Sequence, residues 1–240
     1  MSHSPQPMAV SSPCGDPALV DLVRAVQRAD SALAMLHATQ ALANSGHPDA
    51  APHLVEVLGF NNPGAAVAAV DGLIALGHGA VEPILTGLDC HNYGARAWAV
   101  RALAGIGDVR GLEVLEEALA TDIGPSVRRA AARGLGRLDL TPLPQEVRLS
   151  VSERCLVALE QGCGDGEWVV RYAVVVGLES LVPALHPEAE RLQRARRALG
   201  GLGDPRAEEA LVVRLRAAQA LERIDGPGAT AAAGSEHTHG

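Results

Sequence analysis

One phrase recurs along this chain: a Leu flanked by Ala or Gly and preceded seven residues earlier by Arg, at Arg96/Leu103, Arg128/Leu135, Arg171/Leu178 and Arg214/Leu221. The Leu extends back to Leu42 and Leu73, where Met35 and Ala66 stand in place of the Arg. Successive intervals are 31, 30, 32, 43 and 43 residues. Units of this length cannot bury an apolar face alone and stack on one another to do so. Six helical hairpins are therefore expected.

In the clearest copy, Val127, Ala130, Ala131, Gly134 and Leu135 fall at i, i+3, i+4, i+7 and i+8, one face of an α-helix that must be buried. That face is built from small residues, and a Gly inside a helix costs roughly 1 kcal/mol relative to Ala. Gly72, Gly134 and Gly177 are expected to let the next hairpin's backbone approach closely. The fold class that follows is all-α: an α-solenoid of about six HEAT-like hairpins. Composition agrees, since 48% of residues are hydrophobic but only 2% aromatic, which leaves small aliphatics to fill the core.

The edges show as shifts in composition. Residues 1–16 are rich in Ser and Pro, and residues 226–240 form a Gly/Ala/Ser/His run without apolar periodicity, so both ends are expected to be disordered around one repeat domain at 17–225. No apolar run in the sequence approaches the roughly 20 residues that span a bilayer, and the start lacks a basic segment followed by an apolar one. A soluble, cytoplasmic protein without membrane insertion is expected. The four cysteines, Cys14, Cys90, Cys155 and Cys163, follow no metal or disulfide spacing and read as free thiols. His237 and His239 in the tail fall short of the four ligands of a closed metal site, so no metal is assigned.

All 20 basic residues are Arg, against 28 acidic ones, for a net charge of −8. A nucleic-acid site needs a positive face that neutralises several phosphates. Here Arg interleaves with Asp and Glu, and the one basic run, Arg191, Arg194, Arg196 and Arg197, spreads over more than one helix face. Nucleic acid is not expected as a partner.

Two readings of the repeated Arg remain open. Asp122 precedes Arg128 by six residues and Asp165 precedes Arg171 by the same spacing, the pattern of a structural ladder in which planar Arg heads are held bidentately between hairpins. Alternatively some heads point into the concave groove and hold carboxylates of a ligand or partner. Tyr93 and Trp98 flank Arg96, while Trp168 and Tyr172 flank Arg171, a surface suited to a flat, conjugated, acidic ligand. The aromatics also have a plainer explanation, as fillers of gaps between helices.

The stretch from Asn92 through Arg96, Trp98, Arg101 and Leu103 to Gly107-Asp108-Val109-Arg110 resembles the bilin lyase family of cyanobacteria. The segments from Pro125 to Leu135 and from Trp168 to Leu178 are similar to its F-type subunits in particular, and the resemblance covers roughly Leu33 to Leu181. It implies a HEAT-like subunit that pairs with an E-type subunit. The pair attaches a linear tetrapyrrole (bilin) to a cysteine of a phycobiliprotein α-subunit, phycocyanin foremost. The bilin is a substrate rather than a tightly bound cofactor, and the nucleophilic thiol belongs to the acceptor. The bilin-binding candidates are Tyr93, Arg96, Trp98, Arg101, Asp122, Arg128, Asp165, Trp168, Arg171 and Tyr172.

Subunits of this family that also isomerise the bilin carry a His-Cys motif, whereas this chain reads Cys90-His91. The pair is the catalytic candidate: Cys90 adding transiently to a bilin, His91 moving a proton. Its plainer reading is a small buried thiol beside a loop residue that caps the helix starting near Gly94. Two alternatives to simple attachment accompany this reading. One is a lyase-isomerase subunit; the other is a non-catalytic scaffold for phycobiliproteins, since Ala-rich solenoids are mostly interaction surfaces.

Overall fold

The computed structural model describes residues 16–87, 92–186 and 188–226. Residues 1–15 and 227–240 of the expected tails, with Cys14, His237 and His239 among them, and Cys90, His91 and Pro187 lie outside the described residues, whereas Asp16 caps α1 and Gly226 ends α12. The described residues form twelve α-helices in six hairpins. The first helices are α1 (Pro17–Arg28), α3 (Ala51–Leu58), α5 (Val81–Gly87), α7 (Leu112–Thr121), α9 (Gln145–Gly162) and α11 (Ala189–Gly203). Their seconds are α2 (Ala32–Asn44), α4 (Pro63–Leu76), α6 (Tyr93–Ile106), α8 (Pro125–Leu135), α10 (Trp168–Leu185) and α12 (Leu211–Asp225). Short 3-10 turns lead into α3, α5 and α7.

Each second helix lies against the second helix before and after it, from α2 through α12, while the first helices touch one another more sparsely. Closer packing on one side curves the stack toward that side, so the second helices line the concave face. One buried apolar cluster runs the length of the array, from Leu19 to Ile224. The recurring Leu42, Leu73, Leu103, Leu135 and Leu178 are all at most 1% exposed. Leu221, in the last hairpin with no successor, is only partly buried.

The small-residue face has the physical cause expected of it, with one difference in direction. A Cβ on Gly72 would come within 2.6 Å of the Ala43 Cβ in α2, and one on Gly134 within 2.7 Å of the Ala104 Cβ in α6. Gly177 approaches the Ala132 carbonyl in α8 in the same way. The glycines thus admit the preceding hairpin, not the next. Gly107 ends α6 for two reasons: its φ of +74° lies in the left-handed region, and a Cβ there would meet the Arg137 carbonyl.

The 43-residue intervals need no extra helix. The first arises because α9, which follows a long link at 136–144, has 18 residues where α7 has 10; the second because α10 runs on past Leu178 to Leu185 and α11 has 15 residues. Two stretches, Pro63–Gly87 and Trp168–Leu185, are long and apolar enough to span a bilayer by length and composition. This differs from the sequence expectation, and the reason is core packing. The first stretch is α4, a 3-10 turn and α5 rather than one helix, and half or more of each apolar window is buried against neighbouring hairpins.

Candidate functional site

The repeated Arg forms a ladder. Arg128 donates through Nε and Nη2 to the Asp165 carboxylate at 2.7 and 3.0 Å, and through Nη1 to the backbone carbonyl of Asp122 at 2.8 Å. Arg171 repeats the arrangement one hairpin later, with Nε and Nη2 on Glu208 at 2.6 and 2.7 Å and Nη1 on the Asp165 carbonyl at 2.7 Å. Arg214, at the end, retains only the carbonyl contact, to Glu208 at 3.1 Å. The six-residue spacing seen in the sequence is therefore the backbone half of the motif. The carboxylate half comes from the loop of the following hairpin, 37 residues away.

Asp122 receives Arg96 from the hairpin before it, more loosely, at 3.4 Å, together with the Tyr93 hydroxyl at 3.3 Å and the Gly124 N–H at 2.8 Å. Burial, then the Asp122 carboxylate, raises the Tyr93 phenol above its ordinary value. The ladder also explains the two copies without Arg. Where Met35 and Ala66 replace it, the acid's position, three residues before the next second helix, is Phe60 and Cys90 in the sequence, and Asn62 and Asn92 directly precede α4 and α6. Those amides reach back to the Ala32 and Gly59 carbonyls and cap α4 and α6 through the Ala65 and Ala95 N–H groups. Asn92 thus supplies the α6 cap that the plainer sequence reading gave to His91.

The other sequence candidates divide between two places. Tyr93 and Trp168 begin α6 and α10 and are exposed along one edge of the array, while Tyr172 is partly buried against the core. Trp98 and Arg101 stand on the concave face, with the Arg101 guanidinium 4.8 Å from the Trp98 ring centroid, a cation–π contact.

Around that contact α4, α6 and α8 enclose a groove of about 330 Å3. Sequence reasoning did not bring together what lines it: Arg129, Arg133 and Arg137 join Arg101, against Asp71 alone among acids, with Val67 and Ile74 as exposed apolar walls. Among the described residues no carboxylate pairs with any of these four arginines. Three of the four arginines of the expected basic run behave oppositely, with Arg191 and Arg194 on Glu153, Arg194 also on Glu160, and Arg196 on Asp225. The larger cavity, about 630 Å3 between α7 and α9, is lined by Glu116, Glu117, Glu153 and Asp165, with Arg154 the one base among its lining residues.

Residues 61–136 match the HEAT repeat family, and residues 36–60 match the PBS lyase HEAT-like repeat. The chain is 53% identical to the phycocyanin alpha phycocyanobilin lyase CpcF of Synechocystis sp., over 69% of this chain and 77% of that protein. It belongs to the F-type phycobilin lyase subunits. Within that family it is also 47% identical to the bilin biosynthesis protein RpcF of Synechococcus sp., over 82% of this chain and 92% of that one. Among solved structures, a chain from the complex of CpcE and CpcF of phycocyanin lyase from Nostoc sp. superimposes with a TM-score of 0.65 at 40% identity. That match covers 72% of this chain and 98% of the other. A designed armadillo repeat protein, 18% identical with a TM-score of 0.53, shares the fold alone.

In this F-type chain the described cysteines are poor nucleophiles. Cys155 and Cys163 are free, and burial pushes both thiols up to about 12, so neither supplies a thiolate near neutral pH.

Proposed function

We propose that this chain is the F-type half of a heterodimeric lyase that attaches a linear tetrapyrrole through a thioether to a cysteine of a phycobiliprotein α-subunit, phycocyanin foremost. The observation that carries the reading is its 53% identity to a phycocyanobilin lyase over most of both chains. The bilin enters as substrate, not as a resident group. The acceptor thiol adds across the exocyclic double bond of the bilin: an S–C bond forms, the thiol proton passes to carbon, and no oxidant is required. Inert thiols at Cys155 and Cys163 agree with a nucleophile that belongs to the acceptor. They also agree with a cytoplasmic setting, where thiols stay reduced.

The chain's part is positioning. Holding bilin and acceptor together converts a bimolecular encounter into an oriented one, worth up to roughly 7–11 kcal/mol in the best cases, and it restricts where the thiol adds. The E-type partner has a surface to cover. Leu33, Phe60, Tyr93, Ile123, Trp168 and Leu211 are all exposed at or beside the start of a second helix, one in each hairpin, along one edge. Large exposed apolar rows mark interaction sites, and we assign this one to the partner subunit. The reading is tested by co-expressing the chain with an E-type subunit, a bilin source and an apo α-subunit. Zinc-fluorescent covalent product that appears only when this chain is present supports it; equal attachment without the chain refutes it.

A further inference from the structure

We infer that the concave groove between α4, α6 and α8 is a clamp for the two propionates of the bilin, with Arg129 and Arg133 holding the carboxylates while Trp98, backed by Arg101, carries the conjugated plane. The inference rests on the reading that this chain handles bilin, and it names where and by which atoms.

Three observations converge on it. Arg129 and Arg133 lie at i and i+4 on α8, so their stems share one face about 6 Å apart. That spacing suits two carboxylates borne on neighbouring rings of one ligand. Like charges at this spacing repel, and among the described residues none of the four groove arginines has a carboxylate partner, although most of the remaining Arg charge is paired within the chain. Arg137 adds a third cation one turn on, and Asp71 is the lone acid on the lining.

The aromatic wall is the second observation. Trp98 is the one aromatic lining the groove, its ring already met by a guanidinium at 4.8 Å. A flat conjugated ligand laid on that ring keeps its edges free for the arginines, and Val67 and Ile74 offer apolar surface to its methyl-bearing rim.

The third is elimination. The repeat-locked Arg128 and Arg171 have their donors filled by Asp165, Glu208 and loop carbonyls, so they have no free fork for a propionate. The larger cavity offers one base, Arg154, already paired with Glu116, and no aromatic ring among its lining residues. The groove is the place where free guanidinium groups and an aromatic face coincide.

The test uses the complex with an E-type partner, titrated with phycocyanobilin and with its dimethyl ester, reading the absorption shift. The wild-type complex binds the free acid at least about tenfold more tightly than the ester, the gain expected of charge-assisted hydrogen bonds. R129Q/R133Q loses that preference, binds the ester as before and keeps its melting temperature, while R129K/R133K retains part of it. Equal binding of acid and ester by the wild type overturns the clamp and leaves the bilin-handling reading intact. Variants that bind bilin normally but no longer capture the phycobiliprotein also overturn it, and reassign the groove to an acidic protein surface. A complex that neither binds bilin nor depends on this chain for attachment sinks both readings together.

Discussion

Arg171 and Glu208, 37 residues apart, form a two-pronged pair at 2.6 and 2.7 Å that ties the fifth hairpin to the sixth, with the Glu208 side chain 2% exposed. Glu208 is also fixed by the Ala210 N–H at 2.8 Å, so the acid cannot swing out to water when its partner is lost. Removing one member of a buried pair leaves an uncompensated charge, at a cost of about 3–5 kcal/mol. Arg171→Ala is therefore expected to lower stability by that order, and Arg128→Ala, which breaks the pair with Asp165, by a similar amount. Chemical denaturation checks both. A variant that loses bilin transfer while its denaturation midpoint stays put would show that these arginines serve the ligand.

The same pairs set the acid limit of the fold. Hydrogen bonds from Arg171 outweigh burial and hold the Glu208 carboxyl below its ordinary value. Burial pushes the Asp165 carboxyl up, but bonds from Arg128 and the Glu167 N–H prevail and the net shift is downward. Carboxyls depressed on folding give stability that is fully present above their unfolded values, near 4, and lost as pH falls through the folded ones. Melting temperature should therefore drop steeply below about pH 4. In Arg171→Gln that acid slope should be shallower, and an identical slope in both proteins would remove the ladder from the account of acid stability.

Much of this architecture is legible in the sequence. The Leu period gives six hairpins because each must bury the same face, and the Ala/Gly face gives their close approach. The ladder is only half legible, because Asp122 and Arg128 sit six apart across the start of α8 whereas the carboxylate for Arg128 arrives from another hairpin. Met35 with Phe60 and Ala66 with Cys90 carry the missing signal: where the Arg is absent, the position three residues before the next second helix is not an acid. The groove was hidden for a different reason. Arg129, Arg133 and Arg137 recur every four residues, but the sequence alone does not show that Arg101 on α6 lines the same groove or that Asp71 is the single acid among its lining residues.

Glycines separate close packing from mere composition. Gly134 meets Ala104 closely enough that Gly134→Ala must push α8 away from α6, and it should destabilise the array despite its better helix propensity. Gly200 and Gly201, inside α11, have nothing within 4 Å of an added Cβ. Replacing either with Ala is expected to stabilise by about 0.5–1 kcal/mol. Thermal melts of the three variants check the contrast, and a stabilising Gly134→Ala would remove the close-approach argument.

The exposed edge predicts where partner binding can be broken without breaking the fold. Ile123 is 80% exposed and Trp168 47%, so their replacement removes little from the core. Ile123→Asp and Trp168→Asp are expected to fold with melting temperatures near wild type, yet to co-purify with an E-type subunit far less well, because a central aromatic anchor in an interface commonly carries about 2 kcal/mol or more. Co-purification at wild-type yield from the double variant would place the partner elsewhere.

Cys90 and His91 give the last prediction, drawn from chemistry and order in the sequence. An isomerising subunit moves a double bond of the bilin, which requires a nucleophile that adds and leaves and a group that relocates a proton. Here the order is the reverse of the His-Cys order that the family resemblance associates with isomerisation, while attachment needs only a thiol from the acceptor. Cys90→Ser is thus expected to attach bilin at close to the wild-type rate and to give product with the same absorption maximum. A shift of that maximum in the variant, with attachment retained, would instead make Cys90 the nucleophile of an isomerisation and this chain a lyase-isomerase subunit.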